Sequence, residues 1–206
     1  MIEMNTSVKV LKADFKKIFE KKGYAFFDKG NYNLNIIGIR RAGNVVTNKF
    51  DDFLVVIYNT PTEQNVKKIY VCTTKPGKKA MNNPTNLKGT AILKEGQYRG
   101  AYKIGLHKGQ YKALCQVKPL PVYRDNNKDN KYDLNPLNID NGVFGINIHK
   151  AGKAINGSTL VDGWSYGCQV LSKSIDFNAL MRLVERSASI YGNSFTYTLI
   201  NEEDLL

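Results

Sequence analysis

Phe53-Leu54-Val55-Val56-Ile57-Tyr58 is among the longest apolar runs in this chain of 206 residues, and its length sets how the rest is read. Six residues suit a β-strand of the usual ~5–6 residues and fall far short of the ~20 needed to span a bilayer. Working outward, residues 34–39, 68–73, 90–93, 100–104 and 111–117 are equally short and rich in Val, Ile, Tyr and Thr, with Gly, Pro and Asn between them. That pattern predicts a mostly antiparallel sandwich or open barrel. At the amino end Val8, Leu11, Phe15, Ile18 and Phe19 recur at helical spacing, with Thr6 or Ser7 to cap and Gly23 to stop one helix over residues 6–22. Near the other end Phe177, Leu180, Met181 and Val184 repeat in the same way behind Ser174 or Asp176, and residues 194–200 read as a last strand. The fold class expected is therefore mainly β (α+β), with helices at both ends. Residues 1–50 read as an extension packed on a core of residues 51–206, the whole forming one compact unit.

A composition of 42% hydrophobic and 23% charged residues excludes a disordered chain. Met1-Ile2-Glu3-Met4-Asn5 lacks the basic region and apolar stretch of a secretory signal, so synthesis in a cytoplasm and no membrane span are expected. Thirty basic residues against eighteen acidic give a net charge of +12, which favours a polyanionic partner such as nucleic acid or a cell envelope. The lysines are scattered and follow no zinc-finger, RNA-recognition or basic-zipper pattern, so no specific nucleic-acid binding is expected. Cys72, Cys115 and Cys168 are odd in number and widely spaced, which fits neither a disulfide framework nor a zinc site.

Chemistry concentrates in Gly142-Val-Phe-Gly-Ile-Asn-Ile-His149-Lys150-Ala-Gly152 and in Gly163-Trp164-Ser165-Tyr166-Gly167-Cys168-Gln169-Val170. An apolar strand delivers a histidine, and nineteen positions later a cysteine lies in a small-residue turn entering another strand. An imidazole within reach generates a thiolate by taking its proton, and a tight Ser-x-Gly-Cys turn can aim backbone N–H groups at an oxyanion beside the sulfur. Spacing alone leaves the other reading open, that Cys168 is an inert buried thiol.

The two segments resemble the signature of the L,D-transpeptidase (YkuD-like) catalytic domain: a histidine, about fifteen residues, then Ser/Thr-His-Gly-Cys. Here His149 is followed by residues 150–164 and then Ser165-Tyr166-Gly167-Cys168. The resemblance extends over residues 51–170, through the strand at 53–58, the turn Thr73-Thr74-Lys75-Pro76-Gly77 and residues 89–98. It implies an L,D-transpeptidase-like fold over residues 51–206. It also implies Cys168 as nucleophile, His149 as its base, the Lys150 carbonyl orienting the imidazole, and the Gly167 and Cys168 N–H groups as oxyanion hole. Tyr166 stands where the family has a second histidine, and Gln169-Val170 replaces an apolar residue followed by Asn or Arg. The form Trp-Ser-x-Gly-Cys-Gln-Val looks like the variants of bacteriophage proteins. The resemblance therefore implies a phage lytic or virion-associated enzyme which cleaves peptidoglycan stem peptides through an acyl-enzyme; a monomer needing no catalytic cofactor is expected. It would act on the cell wall after lysis or from the virion, with hydrolysis favoured over transfer. The alternative is a phage structural or cargo protein that uses the same fold to bind wall peptides.

Upstream, Asp125, Asn127, Asp129 and Asp133 occupy positions 1, 3, 5 and 9 of a loop, with Lys131 at position 7 and Asn130 where a calcium loop usually has glycine. Position 12 is Pro136, not glutamate. Two readings stand, a structural calcium site and a solvated Asn/Asp-rich turn. Tyr98 and Arg99, in Gly96-Gln-Tyr-Arg-Gly100, are candidates to meet a substrate carboxylate or else ordinary hairpin residues. Ser165, Tyr166 and Trp164 are candidates to line the substrate cleft. His107, in Gly-Leu-His-Lys-Gly, reads as an exposed loop residue, with contact with the site as the other reading.

Overall fold

The computed structural model describes residues 6–152 and 155–205, so the leader reading at residues 1–5 lies outside them. Eight strands close a barrel: β1 (Asn35–Arg40), β2 (Asp52–Tyr58), β3 (Val66–Thr73), β5 (Gly96–His107), β6 (Tyr111–Gln116), β9 (Ile148–Lys150), β10 (Gln169–Leu171) and β11 (Phe195–Asn201). Their order around the barrel is β1-β11-β5-β6-β9-β10-β3-β2. The pairs β1–β11 and β9–β10 are parallel, the other neighbours antiparallel. A separate three-stranded sheet has the order β4 (Thr90–Leu93), β7 (Leu120–Asp125), β8 (Ile139–Gly142). Among the described residues the fold is mainly β, as the strand pattern implies, with four α-helices. β1 lies between β11 and β2, so a strand from the segment read as an extension is a stave of the barrel itself.

The run at 53–58 lacks polar alternation because β2 is buried on both faces. Leu54, Val56 and Tyr58 enter the main core with Tyr102, Leu114, Ile148 and Tyr197. Val55 and Ile57 point the other way, against Val10, Phe15 and Phe19. Successive strand side chains alternate in direction, so both sets must be apolar once helices cover the outer face. Those helices are α1 (Thr6–Lys12) and α2 (Phe15–Lys22), two where the periodicity predicts one. Asp14 causes the break, since its carboxylate accepts the Lys17 N–H at 3.2 Å and starts a second helix, and Gly23 ends it at a left-handed φ of 68°. Lys67 of β3 donates to the Leu11 and Ala13 carbonyls that the break leaves open, at 3.0 and 3.2 Å.

The short helix α3 (Lys78–Asn82) contributes Met81 to a small core under the second sheet, together with Ile92, Tyr123 and Tyr132. The last helix, α4 (Ser174–Tyr191), buries Phe177, Leu180, Met181 and Val184 as its spacing predicts. Residues 96–100, expected as a hairpin turn, instead open the twelve-residue strand β5, which carries His107 to its far end. None of the described helices is long and apolar enough to cross a membrane.

Candidate functional site

Residues paired in register on neighbouring strands project to the same side of a sheet, and every second residue of a strand returns to that side. In the parallel pair β9–β10, Val170 is opposite His149 and Gln169 is opposite Ile148. Cys168, two positions before Val170 at the entry to β10, therefore shares a side with His149, one step along. Strand pairing alone puts these two residues on one side of the sheet.

The turn that presents Cys168 is closed by its own buried groups. Ser165 Oγ donates to the Cys168 carbonyl at 2.8 Å and accepts the Gly167 N–H at 3.2 Å. Gly167 has a φ of 121°, and a Cβ there would stand 2.5 Å from the Ala91 carbonyl oxygen, so only glycine fits. Gln169 is fully buried; its Nε2 donates to the Gly167 carbonyl at 3.2 Å and its Oε1 accepts the Tyr197 hydroxyl at 2.8 Å. The residue that departs from the family pattern thus ties the cysteine turn to the barrel interior. Two expectations change. Ser165 serves the turn and not a substrate, and the Gly167 N–H is already donated, so it would face an oxyanion only after releasing Ser165.

His149 is buried, and its Nδ1–H donates to the Lys150 carbonyl at 3.0 Å, which leaves the Nε2 lone pair as the basic atom. His107, expected in an exposed loop, is buried as well; its ring stacks on that of His149 with centroids 4.1 Å apart and planes at 21°. Burial pushes the His149 pKa down to about 3, the neighbouring His107 adds to this, and the bond to Lys150 opposes it. The half-buried Cys168 donates its S–H to the Gly145 carbonyl at 3.3 Å. Burial pushes this thiol up to about 11, against the pull of the Asn147 backbone N–H and of Lys108. The pair rests as neutral thiol and neutral imidazole, not as the thiolate that a Cys/His pairing suggests.

A cleft of about 280 Å³ lies beside the turn, lined by Thr85, Asn86, Thr90, Arg124, Phe144 and Tyr166 among others. The Arg124 guanidinium lies 4.5 Å from the Phe144 ring and is bonded to Asp140 Oδ2 and the Gly89 carbonyl. Trp164 is 44% exposed, with its ring lying against Gly152, so it belongs to the surface and not to the core. Tyr98 and Arg99 are engaged elsewhere: the Tyr98 hydroxyl donates to the Lys94 carbonyl, and the Arg99 guanidinium lies 5.6 Å from the Phe27 ring. Of the residues singled out in sequence, Ser165, Gly167 and Cys168 share one turn, His149 and Lys150 lie on the strand paired with the one it enters, Tyr166 and Trp164 belong to or precede that turn, and Tyr98 and Arg99 are engaged elsewhere.

Two residues that sequence reasoning passed over, Gln116 and Asn147, hold the segment before β9. Gln116 Oε1 accepts the N–H groups of Phe144 and Ile146 at 3.1 and 2.8 Å, while its Nε2 donates to the Lys118 and Gly142 carbonyls, each at 2.8 Å. Asn147 Oδ1 accepts the Gln116 N–H at 2.9 Å, and Asn147 Nδ2 meets His107 Nδ1 at 3.1 Å. For His107 the available signal was that the chain has two histidines in all.

In the loop read as a calcium site, Asn130 has a left-handed φ of 64°, as the sixth position of such a loop requires. Asp125 Oδ2 accepts the Asp133 N–H, Asn127 Oδ1 the Asp129 N–H and Asp129 Oδ1 the Lys131 N–H, at 2.8, 3.2 and 2.9 Å. Among the described residues, no three His, Cys, Asp or Glu side chains are already grouped to hold a metal ion. Neither a family model, nor a curated protein, nor a solved structure matches this chain.

Proposed function

We propose that the barrel is an L,D-transpeptidase-like catalytic domain of bacteriophage type, and that Cys168 and His149 cleave a peptide bond of the peptidoglycan stem. The observation that carries this reading is the histidine: Nδ1 is held by the Lys150 carbonyl and Nε2 is left basic, on the side of the sheet that Cys168 shares. In the reaction, His149 Nε2 takes the Cys168 proton as the sulfur adds to the substrate carbonyl carbon. The tetrahedral adduct collapses, the C–N bond breaks, and the imidazolium returns the proton to the leaving amine. Water then attacks the Cys168 acyl-enzyme with His149 again as base, giving net hydrolysis. Trp164 and Tyr166 border the place where the peptide lies. Gln169-Val170 replaces the pattern that follows the cysteine in wall-building relatives, which supports hydrolysis over transfer. The envelope's anionic polymers would attract a chain of charge +12. A calcium ion in the Asp125–Asp133 loop would be structural under this reading.

The rival reading, a non-catalytic phage protein that binds wall peptides, draws on one observation: the thiol is donated to Gly145 and held protonated. Incubation with purified sacculi decides between them. Release of stem peptides by the parent, its loss in Cys168→Ala, and a drop of at least ~100-fold in His149→Ala are expected for the enzyme. Equal digestion by Cys168→Ala overturns the mechanism. Binding of sacculi without any release by the parent supports the binder, and cross-linked dimers that rise with added enzyme would show transfer.

A further inference from the structure

We propose that His107 is a positioning residue for His149, a neutral ring of fixed tautomer on which the basic imidazole is stacked. This rests on the reading of His149 as the base for Cys168.

The argument runs through hydrogen-bond polarity. The backbone N–H of Gln116 can only donate, and it points at Asn147 Oδ1 at 2.9 Å, which fixes the orientation of that amide. Asn147 Nδ2, the other end, can only donate, and its neighbour at 3.1 Å is His107 Nδ1. His107 Nδ1 must therefore carry a lone pair, and the proton of the neutral ring sits on Nε2. On the adjacent ring the polarity is reversed, because a carbonyl oxygen faces His149 Nδ1. The two stacked imidazoles are thus held as opposite tautomers by backbone-anchored partners. A proton added to His107 at Nδ1 would break the Asn147 bond, and a proton on either ring disfavours one on the ring stacked against it.

The groups facing this stack reinforce neutrality. Lys108 follows His107 directly and lowers the pKa of both histidines, after burial itself. From β6, the Tyr111 ring lies 5.6 Å from His107, and burial pushes its hydroxyl and the Cys115 thiol upward, so both stay uncharged. Lys150 turns its ammonium over the Tyr111 and Phe177 rings, 5.1 and 5.8 Å from their centres. Cys168, on the same side of the sheet as His149, is a neutral thiol as well.

The chain's two histidines make nuclear magnetic resonance a direct test, since each imidazole gives one resolvable set of signals. Nitrogen shifts in the parent should report Nε2–H for His107 and Nδ1–H for His149. In His107→Ala the remaining His149 signal should titrate ~1 pH unit or more above its position in the parent. His107→Phe, which restores a flat ring, should return it toward the parent. His107→Gln keeps a partner for Asn147 without a ring and should behave like His107→Ala, which covers the case in which the alanine variant does not fold. An Nδ1–H tautomer at His107, or a His149 titration indifferent to both ring-removing variants, would overturn the proposal. Neither readout needs a wall substrate, so a protein that shows these shifts yet never cleaves sacculi would sink the enzymatic reading alone.

Discussion

A thiol held at about 11, on the same side of the sheet as an imidazole held at about 3, keeps its proton across the whole neutral range. Proton transfer to His149 then has to accompany attack, and the S–H must first turn away from the Gly145 carbonyl that now accepts it. Reaction with a small electrophile exposes the difference. Alkylation of Cys168 by iodoacetamide, followed residue by residue with mass spectrometry, should still be accelerating between pH 8 and 10, whereas a pre-formed thiolate would level off near neutrality. A plateau below pH 8 would show that the ion pair exists. Next to the cysteine, Gln169 has a role that resemblance does not supply, because its side chain joins the Gly167 carbonyl to the Tyr197 hydroxyl inside the barrel. Tyr197→Phe removes the donor from a buried amide oxygen, which costs ~1–3 kcal/mol. Urea unfolding should register that loss, and an unchanged midpoint would mean that the turn does not depend on this clasp.

Strand by strand, sequence is informative where one physical rule acts alone. Residues 90–93, 111–117 and 53–58 are found within a residue or so of their expected bounds because β-branched and aromatic runs between turn residues have few other options. β7 carries no clear strand signal, because Pro121 argues against a strand. In the structure β4 pairs only with Val122–Asp125, so the proline lies beyond its end and its missing N–H leaves no gap in that ladder. The segment from 143 to 147 was read as strand from its apolar residues, yet Gln116 holds it by side-chain bonds that no local pattern announces. His107 escaped for the same reason: its place beside His149 comes from β6 and β9 meeting at Leu114 and Ile148, a contact between distant parts of the chain. The Asp125–Asp133 loop is where two local rules predict different things. Its Asx turns satisfy several carboxylate oxygens, but Asp125 Oδ1 is buried without a donor, and burial raises the pKa of that carboxyl. A calcium ion would relieve it, with Asp129 and Asp133 closing from the same loop. Added calcium should then raise the melting temperature, a chelator should lower it, and Asp129→Ala should abolish both effects. Indifference to calcium and chelator alike would leave the turn reading.

Across the whole molecule, folding places both histidines of the chain in one buried stack, and this links stability to pH. Burial lowers the pKa of each below the unfolded value of 6.5. A depressed histidine binds its proton more readily when unfolded, so its share of stability is complete above pH 6.5 and declines as pH falls from there toward the folded value, about 3 for His149. The carboxylates lowered by their partners, Asp14, Asp28, Asp140 and Glu202, start from 3.8 or 4.5 and so contribute mainly below about pH 5, at the acid end of that range. Asp125 acts in the opposite sense, because its raised pKa makes the folded state the better proton acceptor as pH falls. General repulsion in a chain of charge +12 also grows on acidification, but salt screens it while leaving the buried stack's share in place. In high salt, therefore, the melting temperature should hold steady from pH 8 to 7 and fall progressively between 6.5 and 4.5, and Asp125→Asn should make the fall steeper. Calorimetry across that range is the check, and a melting temperature flat from 6.5 to 4.5 in the Asp125→Asn protein would show that the two imidazoles are open to water and do not form the neutral stack on which the proposed base depends.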